Sequence, residues 1–141
     1  MRSIHLIVVH CSATRCNRAY PVTTLIRDHQ QRFGFTGYHY YVTRDGHITQ
    51  TRHLQLPGAH ARGYNAHSIG VCYEGGLDAR GETADTRTPA QKAAMRRLLE
   101  ELHGRYPRAV IVGHHDLNPQ KPCPCIENVV HEYADLQPKE K

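Results

Sequence analysis

Hydrophobic positions along this chain form short continuous runs, separated by segments in which apolar residues recur with helical spacing. Three of the runs are rich in β-branched residues, as in strands that are buried on both faces of a sheet. A fourth segment is aromatic and leads through an Asp-Gly turn into a further strand, which predicts a hairpin. The predicted strands are residues 4–10, 68–73 and 109–112, and the hairpin joins residues 37–42 to residues 48–51.

Two segments carry the signals of helix ends. Residues 21–33 have near-helical apolar spacing, with Thr23 or Thr24 available as the cap and Gly34 as the terminator. A second helix, over residues 88–106, begins with the capping sequence Thr-Pro-Ala-Gln and carries an apolar stripe.

Proline and glycine clusters predict loops between these elements. The longest loop follows the last predicted strand, where three prolines exclude regular structure after Leu117. Because strands alternate with helices, we expect an α/β (α+β) fold with a single mixed central β-sheet flanked by helices. The predicted loops are residues 57–65, 77–86 and 113–125, a short helix covers residues 126–136, and residues 137–141 form a frayed tail.

The composition restricts the class of protein. With 141 residues, 39% of them hydrophobic, the chain suits one domain over residues 1–141 with a core over about residues 4–136. The net charge of +5 is spread along the chain without a basic block, which suits an anionic cell-wall polymer and gives nucleic acid binding little support. Five cysteines are an odd number, so a disulfide framework is not expected.

We expect neither a targeting segment nor a membrane segment. The apolar run at residues 4–9 is interrupted by His5 and has no basic region of any length before it, unlike a signal peptide. No run approaches the apolar length that spans a bilayer. The sequence therefore predicts a protein that is cytoplasmic at synthesis and does not insert into membranes.

Candidate chemistry is concentrated in residues 113–125, which present two adjacent histidines, a lysine and two cysteines. Imidazole and thiolate are preferred zinc ligands, and catalytic zinc sites often combine three protein ligands with a water. His10 ends the first predicted strand, where its side chain points away from those of Val9 and Cys11. These residues alone leave two interpretations open: a metal site, or a proline-rich surface loop with incidental histidines.

Seven short motifs occur in a fixed order along the chain and favour the first interpretation. They are Val9-His10-Cys11-Ser12-Ala13-Thr14, Gly37-Tyr38-His39, Arg44-Asp45-Gly46, His60-Ala61-Arg62-Gly63-Tyr64-Asn65, Ser68-Ile69-Gly70-Val71, Thr88-Pro89-Ala90-Gln91 and His114-His115. Through them the sequence resembles the zinc-dependent N-acetylmuramoyl-L-alanine amidases of the phage T7 lysozyme type, which are related to peptidoglycan recognition proteins. The resemblance extends from about residue 4 to residue 130 and implies the fold of those proteins.

The resemblance also implies a zinc cofactor and a set of site residues. The positions that match the family's zinc ligands are His10, His114 and Cys123. Those that match its catalytic residues are Tyr38 and Lys121. Expected contacts to substrate are His60, Asn65 and His39.

Two positions depart from the family pattern. Cys125 offers a second thiol two residues after Cys123, but the sequence Lys121-Pro122-Cys123-Pro124 favours Cys123 as the ligand. Cys72 stands where some amidases of the wider family carry a catalytic glutamate. Because the phage-type enzymes lack that glutamate, we interpret Cys72 as a small buried hydrophobic residue.

The implied reaction is zinc-dependent hydrolysis of the amide bond between N-acetylmuramic acid and L-alanine of the peptidoglycan stem peptide. The implied partners are peptidoglycan or muropeptides, the protein is expected to be a monomer, and a phage or prophage lysis enzyme released by a holin-type route would fit. Three alternatives remain open. They are a non-catalytic peptidoglycan-binding module, an amidase with Cys123 as its nucleophile, and a closed structural zinc site of His114, His115, Cys123 and Cys125.

Overall fold

A five-stranded mixed sheet forms the centre of the computed structural model, which describes residues 2–139. The strands are β1 (Leu6–Cys11), β2 (Thr14–Arg15), β3 (Tyr40–Val42), β4 (Ile48–Gln50), β5 (Ser68–Tyr73), β6 (Gly76–Leu77) and β7 (Val110–Gly113). The order in the sheet is β4-β3-β5-β1-β7, with β4 antiparallel to β3 and the other neighbours parallel. β2 and β6 form a separate parallel pair. This architecture confirms the predicted fold class.

Two long helices and two single-turn helices complete the fold: α1 (Val22–Phe33), α2 (Pro89–Arg105), α3 (His114–Leu117) and α4 (Val129–Glu132). α2 begins as predicted, because the Thr88 hydroxyl accepts from the Gln91 amide at 3.1 Å and the Gln91 side chain accepts from the Thr88 amide at 2.9 Å. α1 ends as predicted at Gly34, which has a φ of 80°. The predicted threonine cap of α1 is wrong, since Pro21 occupies the cap position and both threonines lie within the first turn. Between residues 2 and 139, no helix has the length and apolar character needed to cross a membrane.

The two faces of the sheet carry cores of different size. On one face, α2 packs against apolar side chains of β1, β5 and β7. On the other face lies a smaller cluster of Leu25 from α1 with Tyr41 and Cys72. His10 is in register with Cys72 across β1 and β5, so its side chain is directed to this second face. Cys11 points the opposite way and is buried in the larger core, as strand alternation predicts.

Local hydrogen bonds give more regular structure than the sequence indicated around the candidate loop. The segment after β7 begins with the helical turn α3, in which the Gly113 amide donates to the Asp116 carboxylate at 2.8 Å and the Asn118 amide donates to the His114 carbonyl at 3.0 Å. The expected loop therefore starts one turn later. No strand was predicted at β2 or β6, and Leu77 of β6 was expected in a loop; the two short strands pair in parallel, Thr14 with Gly76 and Arg15 with Leu77.

The C-terminal segment has less helix than predicted and is better anchored. The helix expected over residues 126–136 is reduced to α4 and a short 3-10 turn, because the side chain of Asn128 caps a later start. The Gln137 side chain accepts from the Ile111 amide at 2.9 Å and donates to the Ile111 carbonyl at 2.8 Å, which pairs it with the edge strand β7. Gln137 is thus not part of a frayed tail, and residues 140–141 of that prediction lie outside the described residues.

Candidate active site

Three candidate metal ligands meet at the carboxyl ends of two neighbouring strands. His10 lies near the end of β1, and His114 directly follows β7, which is parallel to β1. Because parallel strands end at the same edge of a sheet, the two imidazoles are adjacent, with ring centroids 4.6 Å apart. Cys123 completes the group, and one ligand atom from each of the three residues lies within 4.8 Å of the others.

Cys123 is held against β1 by the backbone. Its sulfur accepts from the Cys11 amide at 3.2 Å and lies 3.7 Å from Nδ1 of His10. Its carbonyl accepts from the His115 amide at 2.8 Å, which ties the proline-rich loop to α3. The Cys125 sulfur points elsewhere, 4.0 Å from the sulfur of Cys11, and burial raises the pKa of the Cys125 thiol to about 12.

The protonation states of the two imidazoles suit metal binding. Burial, together with the nearby His60 and His114, holds the pKa of His10 well below its ordinary value. Burial and the Lys121 ammonium also lower the pKa of His114. Both rings are therefore neutral near pH 7, as a metal ligand must be. Two neutral imidazoles and a thiol fit zinc in ligand type, and their ligand atoms lie within 4.8 Å of one another, compared with about 3.5 Å in a tetrahedral zinc site.

Tyr38 lies beside these candidate ligands. Its ring centroid is 5.0 Å from that of His10, and the ring packs against the cluster that contains Cys72. Burial is the main cause that raises the pKa of Tyr38 well above its ordinary value, and the neighbouring Cys72 is the second. The hydroxyl therefore stays protonated at neutral pH and can donate a hydrogen bond, but it cannot act as a free base.

Lys121 lies on the exposed side of the group. Its amide donates to the Asn118 carbonyl at 2.9 Å, which fixes the turn that carries it. Burial is the main cause of the lowered pKa of His114, and the Lys121 ammonium adds to it. A positive charge at this position can stabilise negative charge that develops on a bound substrate.

Comparison with known proteins identifies the family. The family model described as N-acetylmuramoyl-L-alanine amidase matches residues 1–126 of the chain. The chain belongs to this family. The amidase is 42% identical to the endolysin of Enterobacteria phage K11 over 120 residues, which is 84% of this chain and 79% of that protein. It is 39% identical to the endolysin of Escherichia phage T7 over 126 residues, which is 89% of this chain and 83% of that protein.

Solved structures agree with this assignment. The N-acetylmuramoyl-L-alanine amidase LysC from Clostridium intestinale matches with a TM-score of 0.79 and 27% identity, over 96% of this chain and 86% of that chain. A variant of Drosophila PGRP-LB in complex with tracheal cytotoxin matches with a TM-score of 0.75 and 18% identity, over 100% of this chain and 86% of that chain, and shows the shared fold. The protein is therefore a peptidoglycan amidase.

The three residues expected to contact substrate differ in burial: His39 is buried, whereas His60 and Asn65 are partly exposed. The His39 ring is completely buried, with Nδ1 accepting from the Gly70 amide at 3.0 Å and Nε2 lying 2.8 Å from the Leu56 carbonyl. It has no exposed surface to offer to a substrate. The Asn65 side chain accepts from two backbone amides of its own loop, at His60 and Ala61, both at 2.9 Å. His60 itself lies against His10, with its Nδ1 2.9 Å from Nε2 of that ring.

The closed four-ligand site does not form in the amidase. The His115 ring lies beside Gly113, and its Nε2 is 3.6 Å from the Asp116 carboxylate. The Cys125 sulfur lies beside the sulfur of Cys11, at 4.0 Å. Across residues 2–139, the group with metal-binding spacing is His10, His114 and Cys123. This arrangement leaves room for a fourth, non-protein ligand.

Two residues that shape the site, His29 and Gly70, were given no role there in the sequence analysis. Nδ1 of His29 accepts from the Gly37 amide at 2.8 Å, next to Tyr38, and the His29 and Tyr38 rings are 5.1 Å apart. Gly70 provides the flat surface on which His60 packs, since a Cβ there would lie 2.8 Å from that ring. The sequence does contain a signal for Gly70, because a glycine inside an otherwise apolar strand often marks a position where another group approaches the backbone closely.

Proposed function

We propose that the amidase is zinc-dependent and cleaves the amide bond between N-acetylmuramic acid and L-alanine, with zinc held by His10, His114 and Cys123. The observation that carries this proposal is the convergence of these three ligand atoms within 4.8 Å. Two neutral imidazoles and one thiolate form a donor set that is typical of catalytic zinc, because they leave one coordination position open.

Zinc in such a site acts as a Lewis acid and makes a water nucleophilic near pH 7. The protein's contribution is to hold the ligands rigidly. The Cys11 amide donates to the Cys123 sulfur at 3.2 Å, which fixes the position of that sulfur beside His10. His10 is buried and His114 is half-buried, and electrostatic interactions are stronger at buried positions than in bulk water.

Tyr38 and Lys121 are proposed to act on the substrate. The Lys121 ammonium would donate to the carbonyl oxygen of the scissile amide as negative charge develops on it. The Tyr38 hydroxyl, protonated at neutral pH, would donate a hydrogen bond that orients the same carbonyl or the attacking water. Neither side chain is a metal ligand in this assignment.

The natural substrate is proposed to be peptidoglycan or a muropeptide derived from it. Support comes from the family and from the similarity to phage endolysins. In that setting a monomeric enzyme made in the cytoplasm would reach the wall through a holin-type route. The net charge of +5 favours association with an anionic wall polymer.

The decisive experiment measures metal and reaction product in one preparation. We expect one zinc per chain by mass spectrometry of the metal content, and a new L-alanine amino terminus on a muropeptide substrate. A zinc chelator should abolish product formation and added zinc should restore it, while a non-chelating isomer of the same compound has no effect. Activity that persists after exhaustive chelation but is lost on thiol alkylation would instead identify Cys123 as the nucleophile.

A further inference from the structure

A histidine outside the ligand set is hydrogen-bonded to the back of one ligand. Nδ1 of His60 lies 2.9 Å from Nε2 of His10, and the two rings meet edge to face with an interplanar angle of 88°. The other nitrogen of His10, Nδ1, faces the sulfur of Cys123. The two nitrogens of His10 therefore have different partners, one on each side of the ring.

This geometry restricts which nitrogen of His10 carries the proton. A neutral imidazole has one N–H donor and one lone pair. If Nδ1 is to present its lone pair to a metal, Nε2 must carry the hydrogen and donate to Nδ1 of His60. His60 must then carry its own hydrogen on Nε2, where the Ser68 hydroxyl lies 3.3 Å away and can accept it. One chain of hydrogen bonds thus accounts for both rings.

The position of His60 is determined by its surroundings. Its ring lies directly on Gly70 of β5, where a Cβ would come within 2.8 Å of two ring atoms. Its backbone amide donates to the Asn65 side chain at 2.9 Å, which anchors the loop. Ser68, at the other end of the hydrogen-bond chain, is completely buried. The ring therefore has little freedom to turn away from His10.

We propose that His60 is a positioning residue, which accepts a hydrogen bond from Nε2–H of His10 and so holds His10 in the tautomer that presents Nδ1 to the metal. This inference rests on the proposed zinc site. Hydrogen bonds of this kind to metal-bound histidine typically change metal affinity by about 10- to 100-fold.

Two variants of His60 separate the hydrogen bond from packing. His60→Leu keeps an apolar side chain of similar branching but removes the acceptor. His60→Asn restores an acceptor, because its amide oxygen branches from Cγ as Nδ1 does. We expect zinc affinity, measured by competition with a chromophoric chelator, to fall about 10- to 100-fold in His60→Leu and to recover most of that loss in His60→Asn. Equal affinity in wild type and His60→Leu, or equal losses in both variants, would overturn the inference.

A measurement on the wild type alone gives an independent test. With zinc bound, nitrogen-15 chemical shifts of the histidine rings report which nitrogen of His10 is protonated. We expect a proton on Nε2 that exchanges slowly with water, and fast exchange of that proton in His60→Leu. An unprotonated Nε2 would show that the role assigned to His60 is wrong. Failure of the wild type to bind zinc would instead contradict the proposed function itself.

Discussion

Nδ1 of His10 and the sulfur of Cys123 lie 3.7 Å apart, although 113 positions separate the two residues in the chain. The contact exists because His10 lies near the carboxyl end of β1, and the backbone of the same strand is hydrogen-bonded to the thiol. Cys123 is bound there through the amide of Cys11, the residue that follows His10. Two candidate ligands are thus brought together by a strand and a loop that are far apart in the sequence.

The first prediction concerns which cysteine binds zinc. Cys123→Ser replaces a readily ionised thiol by a hydroxyl that stays protonated near pH 7, so we expect a steep loss of zinc affinity. Cys125→Ser is the matched control, because its sulfur contacts Cys11 and not the histidine pair. Zinc stoichiometry of the two purified variants, measured side by side, provides the test. Loss of zinc in Cys125→Ser with retention in Cys123→Ser would reverse the ligand assignment.

The second prediction concerns Tyr38 and Lys121, the two residues proposed to act on the substrate. Tyr38→Phe removes one hydroxyl while preserving the ring that packs beside His10, and Lys121→Ala removes the exposed ammonium. We expect each change to lower kcat by about 100- to 1,000-fold, the usual cost of one lost transition-state donor. Zinc content should be unchanged in both variants. If a variant loses its metal or keeps the wild-type kcat, the role proposed for the substituted residue is wrong.

Motif order predicted that His10, His114 and Cys123 lie together, as they do in the structure, but not how their side chains are oriented. The chain itself places His10 at a strand end, and the alternation of a strand determines which face its side chain takes. The contact between His60 and His10 depends on the position of Gly70 in β5, which lies beneath the His60 ring. The register of β5 against β1 is a property of the folded sheet, so the sequence did not predict this contact.

Segments with a weak local signal differ most from expectation. α3 forms because the Asp116 carboxylate accepts from the Gly113 amide, a contact that proline content alone does not reveal. Gln137 was expected in a frayed tail because its neighbours are polar. Its amide group instead satisfies both the donor and the acceptor of Ile111 on the edge strand β7. Exposed strand edges have unpaired backbone groups, and a side chain that matches them is visible only in three dimensions.

The third prediction tests the close approach of His60 to β5. Gly70→Ala places a methyl group 2.8 Å from the His60 ring, so we expect a loss of about 1–3 kcal/mol in the free energy of unfolding, as for other overpacked sites. Gly104→Ala in α2 is the matched control, since a Cβ there meets open space and should add up to about 1 kcal/mol of stability. Urea denaturation of both variants checks the pair. A neutral Gly70→Ala would mean that the ring moves aside freely, and its zinc affinity should then be measured as well.

A buried arginine, Arg87, links the segment between β6 and α2 to the helix α4. The Arg87 side chain is 2% exposed and donates through both Nη atoms to Glu132, at 2.6 and 2.8 Å. It also donates to Asp85 through Nε at 2.9 Å and Nη2 at 2.8 Å. The hydrogen bonds from Arg87 hold the pKa of Glu132 below its ordinary value of 4.5. A carboxylate with a lowered pKa stabilises the folded state only while it is ionised.

The fourth prediction follows from the sign of that pKa shift. The folded state binds the Glu132 proton more weakly than the unfolded state, so this stabilisation is complete above the unfolded pKa and is lost as the pH falls through the folded one. We expect Glu132→Gln to cost about 1–2 kcal/mol at pH 7, a value reduced by solvent screening because the side chain is 37% exposed. The difference from wild type should shrink toward zero as the pH falls through the lowered pKa of folded Glu132, because its carboxyl is then neutral, as the glutamine amide always is. Glu127→Gln is the control, because Glu127 is exposed and forms none of the ion pairs found among residues 2–139. Urea denaturation across the acidic range measures the effect, and a deficit that stays constant with pH would show that lost packing, and not charge, is its cause.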